Sequence, residues 1–102
     1  MIQIIKLHYN DDIDASVDAE FMVSSSIDKA KEIVLNTLKS DFSEDSWSSL
    51  EEAEKDLGES LYSASWHNNI FTWWDNGQGD TYIIKEFDDK KIDSEFEHLC
   101  YV

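Results

Sequence analysis

The stretch LEEAEKDLGESLYSASWHNNIFTWWD, Leu50 through Asp75, changes its apolar period midway, and that change decides the fold class. Leu50, Ala53, Leu57 and Leu61 recur at three- and four-residue spacing, which puts them on one face of a helix. From Tyr62 the pattern alternates, so 62–66 and 70–74 read as strands. His67, Asn68 and Asn69 between them tolerate the positive φ that a tight hairpin turn demands. A helix running into a hairpin, in one chain of this size, predicts an α+β domain.

Working outward, Asp75 to Asp80 supplies a second turn, and 81–87 and 96–102 are further candidate strands, which makes the C-terminal part an antiparallel meander. The second helix starts at Ser48 or Ser49, where Ser48 and Glu51 have capping-box spacing. Gly58 costs about 1 kcal/mol relative to alanine inside a helix. It therefore marks either a close packing contact or the end of that helix. Upstream, Ser24, Ser25 and Ser26 offer an N-cap to a helix over 27–39, with Asp28 favoured by the helix dipole. Ile27, Ala30, Ile33, Val34 and Leu38 line one face of it. At the N-terminus, 2–9 reads as a strand with Ile5, Leu7 and Tyr9 on one face. Residues 19–23 form its partner, with Ala19, Phe21 and Val23 on one side, in a hairpin with a long acidic loop. The expected architecture is an antiparallel sheet, N-terminal hairpin plus C-terminal meander, packed against two helices in a single domain over 1–102.

The chain has 102 residues, 41% of them hydrophobic and 13% aromatic, which suffices for one core. It has no proline and no Gly/Ser-rich stretch, hence no predicted linker. No apolar run approaches the roughly 18 residues of a membrane span, and residues 1–6 lack the features of a signal peptide. The single Cys100 cannot close an intrachain disulfide. A cytoplasmic protein with no membrane association is expected.

Charge is the extreme property: 23 Asp and Glu stand against 8 Lys, with no Arg, for a formal net charge of −15. Such a surface repels phosphate backbones and anionic lipid and attracts cations or basic proteins. Direct nucleic-acid binding is therefore not expected. The surplus is densest over 41–59, where Asp41, Glu44, Asp45, Glu51, Glu52, Glu54, Asp56 and Glu59 face Lys55 alone, a local net charge of −7. On a helix, Glu52 and Asp56 are like charges one turn apart, which a sequence chosen for stability alone avoids. The competing reading is an ordinary solvated face.

Trp66, Phe71, Trp73 and Trp74 form the densest aromatic group. On a strand, Trp73 and Trp74 point to opposite faces. Either a helix or the N-terminal hairpin covers the second face, which is the preferred expectation, or one indole is an exposed anchor for a partner.

Metal and catalytic motifs fail at defined positions. A calcium loop starting at Asp12 would need glycine at Val17 and glutamate at Val23. One starting at Asp75 places Glu86 correctly but has Asp80 where glycine is required. His98 and Cys100 share a face of the last candidate strand, yet there is no second cysteine, and His8 and His67 lie in other elements. No phosphate-binding glycine loop or nucleophile elbow is present. No cofactor, metal or enzymatic activity is expected.

In its size, its excess of Asp and Glu and its 41–59 cluster, the chain resembles the small acidic proteins that phages encode against host defences, of the DNA-mimic and anti-CRISPR kind. That resemblance implies a non-enzymatic inhibitor that binds a basic, nucleic-acid-handling protein. It assigns no residue a role. From the residues themselves, the candidate partner-binding set is Asp41, Glu44, Asp45, Glu51, Glu52, Asp56 and Glu59 with Trp73 and Trp74. The alternative is an acidic structural or regulatory domain without mimicry, for which a homo-oligomer on a sheet edge or the Trp face stays open.

Overall fold

The computed structural model describes residues 1–11 and 16–87. The candidate strand over 96–102, with His98 and Cys100, and part of the acidic loop after Asp11 lie outside the described residues. Two strands, two helices and three strands follow in order: β1 (Ile2–Asn10), β2 (Ser16–Ser24), α1 (Ile27–Asp41), α2 (Leu50–Ser60), β3 (Ser63–His67), β4 (Ile70–Asp75) and β5 (Gln78–Glu86). The strands form one antiparallel sheet in the order β2-β1-β5-β4-β3. This is the expected α+β class, with the hairpin and the meander joined through β1 and β5.

Local chemistry explains each boundary. Ser26 caps α1, its hydroxyl accepting from the Lys29 N–H at 3.1 Å. Ser49 caps α2, accepting from Glu52 N–H at 3.2 Å, while the Glu52 carboxylate accepts from Ser48 N–H at 2.8 Å. The cap itself thus falls one residue later than Ser48 and Glu51 would place it, and the Glu52 side chain reaches back past the Ser49 cap to the Ser48 N–H, a variant of the capping box. Both hairpins of the meander turn on two residues with positive φ, Asn68 (51°) with Asn69 (61°) and Asn76 (51°) with Gly77 (80°). That combination matches the twist of the flanking strands. β5 accordingly starts at Gln78 rather than Thr81.

Both helices pack on the same face of the sheet. Ala30, Val34 and Leu38 of α1 and Leu50, Ala53 and Leu57 of α2 meet Ile2, Ile4, Phe71, Tyr82 and Ile84, all buried. Each fully buried large side chain contributes roughly 1.5–3 kcal/mol of transfer free energy. Trp47, 5% exposed in the connection between the helices, closes the core, and its indole Nε1 donates to Asp56 Oδ2 at 2.9 Å. Gly58 neither ends α2 nor lies against anything, because a Cβ there would meet no atom within 4 Å. Gly79 is the tight glycine: a Cβ on it would lie 2.2 Å from the Trp73 carbonyl oxygen.

Among the described residues, no helix lies on the other face of the sheet. Ile5, Leu7 and Tyr9 pair there with Phe21, Ala19 and Val17, so the face that alternation picked out in the hairpin is the one turned away from the helices. Among the described residues neither a helix nor the hairpin overlies this second face, contrary to expectation: the hairpin lies in the plane of the sheet and extends it. Phe21 and Val23 remain 64% and 68% exposed. Among the described residues, no helix is long and apolar enough to cross a membrane.

Candidate functional site

The sheet register and the two helix axes sort the carboxylates by side. On the strands, Asp18 and Glu20 alternate with Val17, Ala19 and Phe21 and so point to the helix side. Asp80, Asp75 and Glu86 do the same by their registers with His8, Gln78 and Ile2. The remaining described acids stand on the helices and loops. None of the Asp or Glu side chains carried by the five strands is placed on the open sheet face. The described strand carboxylates are therefore one-sided, and the acidic side is not confined to 41–59.

Several members of that cluster have local work. Glu44 accepts from the Ser46 hydroxyl at 2.7 Å and the Ser46 N–H at 3.1 Å, bonds that hold its carboxyl below the ordinary glutamate range. The Ser48 N–H lowers that of Glu52 in the same way. Asp56 anchors Trp47, Glu51 accepts from Trp66 Nε1 at 3.2 Å, and Glu54 accepts from the Trp66 N–H. Asp45 and Glu59 make no hydrogen bond or ion pair among the described residues. Lysines do little to neutralise this side: Lys29 with Glu32, 3.5 Å apart, is the single Lys–carboxylate pair within 4 Å among the described residues.

The structure divides the two tryptophans of the candidate set. Trp73 points to the helix side, edge-on to Phe42 with ring centroids 5.1 Å apart. Its indole Nε1 is buried without a hydrogen-bond partner. Trp74 points to the open face, tilted against Tyr9 at 5.2 Å. The acidic residues and Trp73 share a side; Trp74 does not share it.

Beyond the C-terminal end of α1 the helix layer stops and an open groove of about 590 Å³ remains over β1, β2 and β5. Asp18, Glu20 and Asp41 rim it, and Phe42 and Trp73 form its apolar wall. At its base His8 Nδ1 lies 2.6 Å from Asp80 Oδ1, with Asp80 only 6% exposed. Beside them Tyr82 is fully buried, with its hydroxyl 3.5 Å from Asp41 Oδ2 and Lys6 Nζ 5.6 Å from its ring centroid. Burial, then the negative charges of Asp80 and Asp41, raise the Tyr82 hydroxyl far above the ordinary tyrosine value and keep it neutral. Four carboxylates against one lysine line the groove, next to two aromatic rings, a lining whose charge and ring faces are complementary to a cationic group.

Sequence reasoning missed this groove. His8 and Asp80 are 72 residues apart and become neighbours only through the pairing of β1 with β5. No spacing within either strand signals the pair. No group of three or more His, Cys, Asp and Glu side chains among the described residues is arranged to hold a metal ion. No protein-family profile, curated protein or solved structure matches the chain.

Proposed function

We propose that this protein is a non-enzymatic acidic interaction protein that occupies and blocks a basic, nucleic-acid-binding site on a partner, in the manner of an anti-CRISPR or anti-restriction inhibitor. The observation that carries the reading is the one-sided placement of the described strand carboxylates, which with those of the helices and the groove are almost unpaired with lysine. A wall of this kind attracts a positively charged cleft from a distance and speeds encounter. The groove then receives a lysine or arginine side chain of the partner, with Asp18, Glu20 and Asp41 neutralising its charge. Phe42 and Trp73 stack on its stem or its cation. The aromatic contact lengthens residence, since truncating rings of this sort dominates dissociation at many interfaces.

The test uses the double variant Asp45→Lys/Glu59→Lys, which reverses two charges that no hydrogen bond ties to the fold. Binding to a panel of basic nucleases is measured with and without competing duplex DNA, at low and high salt. Binding that DNA displaces, that salt weakens and that the variant weakens further supports the reading. Affinity and salt slope unchanged in the variant, or no competition with DNA, would remove it.

A further inference from the structure

We propose that the open face of the sheet is the contact surface between two copies of this chain, packed sheet on sheet with the acidic helix layers turned outward. The face is built from Ile5, Leu7 and Tyr9 of β1, with Val17 and Phe21 of β2 and Ile83 of β5 on either side. Its exposure is high for such residues: Phe21 is 64%, Val17 58% and Val23 68% exposed. Ile5, Leu7, Tyr9 and Ile83 beside them are half-buried, and large apolar side chains exposed together along one strand mark an interaction site.

Charge selects the occupant. A basic partner finds no carboxylate of the described strands to pair with here. A second copy carries the same face, largely apolar along β1 and β2, with Lys85 its lysine among the described residues. With a formal net charge of −15, two copies repel through their acidic helix layers, and the sheet face is the approach onto which no carboxylate of the described strands points. Lys85, the face's one lysine, sits at its end with Nζ 5.3 Å from the Phe87 ring, at the margin where it stays hydrated.

Size and geometry agree. Three strands of nine residues, one of six and one of five, at about 3.3 Å per residue and about 4.8 Å between strands, cover roughly 600 Å² in projection. That footprint lies at the low end of the roughly 600–1,000 Å² per partner that specific interfaces bury. Two such faces pack about 10 Å apart, as the sheets of a β-sandwich do. A two-fold axis through the face makes the contact self-complementary.

This interface and the acidic wall respond oppositely to salt, so each can fail without the other. Salt screens repulsion between two acidic bodies and strengthens their dimer, whereas it weakens capture of a basic partner. Sedimentation of the full-length protein between about 1 and 100 μM tests the proposal. Wild type is expected as a dimer that tightens from 50 to 500 mM NaCl. Phe21→Asp on β2 and Thr72→Lys on β4 are each expected to weaken it by about 100-fold or more, with far-UV circular dichroism unchanged. If either variant fails to fold, Val23→Asp replaces Phe21→Asp on β2 and Ser65→Lys on β3 replaces Thr72→Lys. A monomer at 100 μM overturns the proposal. So does a dimer that survives Thr72→Lys but not Phe21→Asp, since that pattern belongs to pairing along the β2 edge. A dimer that salt loosens overturns it as well.

Discussion

The buried tyrosine at the base of the groove makes alkaline stability calculable. The Tyr82 hydroxyl is raised well above its ordinary value of 10.0, first by burial and then by the charges of Asp80 and Asp41. Above about pH 10 the unfolded chain releases this proton and the folded chain keeps it. The folded state then binds one more proton than the unfolded state, so stability falls as pH rises, by about 1.4 kcal/mol per pH unit. The contribution is fully present below the ordinary tyrosine value. By about pH 11.5 it amounts to a loss of roughly 2 kcal/mol, a large part of a small domain's stability. Tyr82→Phe keeps the ring in the core and removes the titration. At pH 7 it gives up only a hydrogen bond stretched to 3.5 Å, so the neutral-pH cost is at the low end of about 0.5–1.5 kcal/mol. Urea unfolding of both proteins at intervals from pH 7 to 11.5 measures the difference. Lysines and the other tyrosines titrate in both and largely cancel. The variant is expected to overtake wild type as pH climbs past about 10.5. A difference that stays constant over the whole range would refute the assignment of Tyr82 as the neutral, charge-flanked group.

The glycines provide an opposed pair for the same unfolding assay. Gly58→Ala is expected to stabilise by about 0.5–1 kcal/mol, because it adds a methyl group in open space within a helix. Gly79→Ala is expected to cost more than about 2 kcal/mol or to prevent folding, since the Trp73 backbone must move to admit it. For acid, the Glu52 carboxyl is depressed by the Ser48 N–H, so its contribution is present above the ordinary glutamate range and disappears as pH falls through its folded value. Glu52→Gln should therefore flatten the decline of stability below about pH 4.5, and a slope identical to wild type would show that the cap carries no titration.

Much of this architecture is legible locally. Helix α1 announces itself through Ser26, Asp28 and the spacing of Ala30, Val34 and Leu38, all features within one or two turns of each other. The meander is equally readable, because Asn68, Asn69, Asn76 and Gly77 are residues that accept positive φ at low cost. The capping register of α2 was harder to read: Ser48 and Ser49 are adjacent, with Glu51 and Glu52 three residues beyond them, and only the backbone direction at Ser49 chooses between the pairs. The acidic cluster over 41–59 is visible as composition, but its division of labour is not. Asp56 and Glu51 are bound to Trp47 and Trp66, nine and fifteen residues away.

The sequence alone determined the class of the domain, the position of its helices and turns and the sign of its charge, since each depends on residues near one another along the chain. Tertiary structure decided which side of the sheet became core. β1 is apolar on both faces at its start, so alternation cannot choose between Ile2 with Ile4 and Ile5 with Leu7. Only the placement of α1 and α2 breaks the tie. The same packing separated Trp73 from Trp74, brought His8 to Asp80 and, among the described residues, left one sheet face without a helix. Those outcomes depend on contacts across the whole chain, and short-range periodicity contains no information about which faces meet.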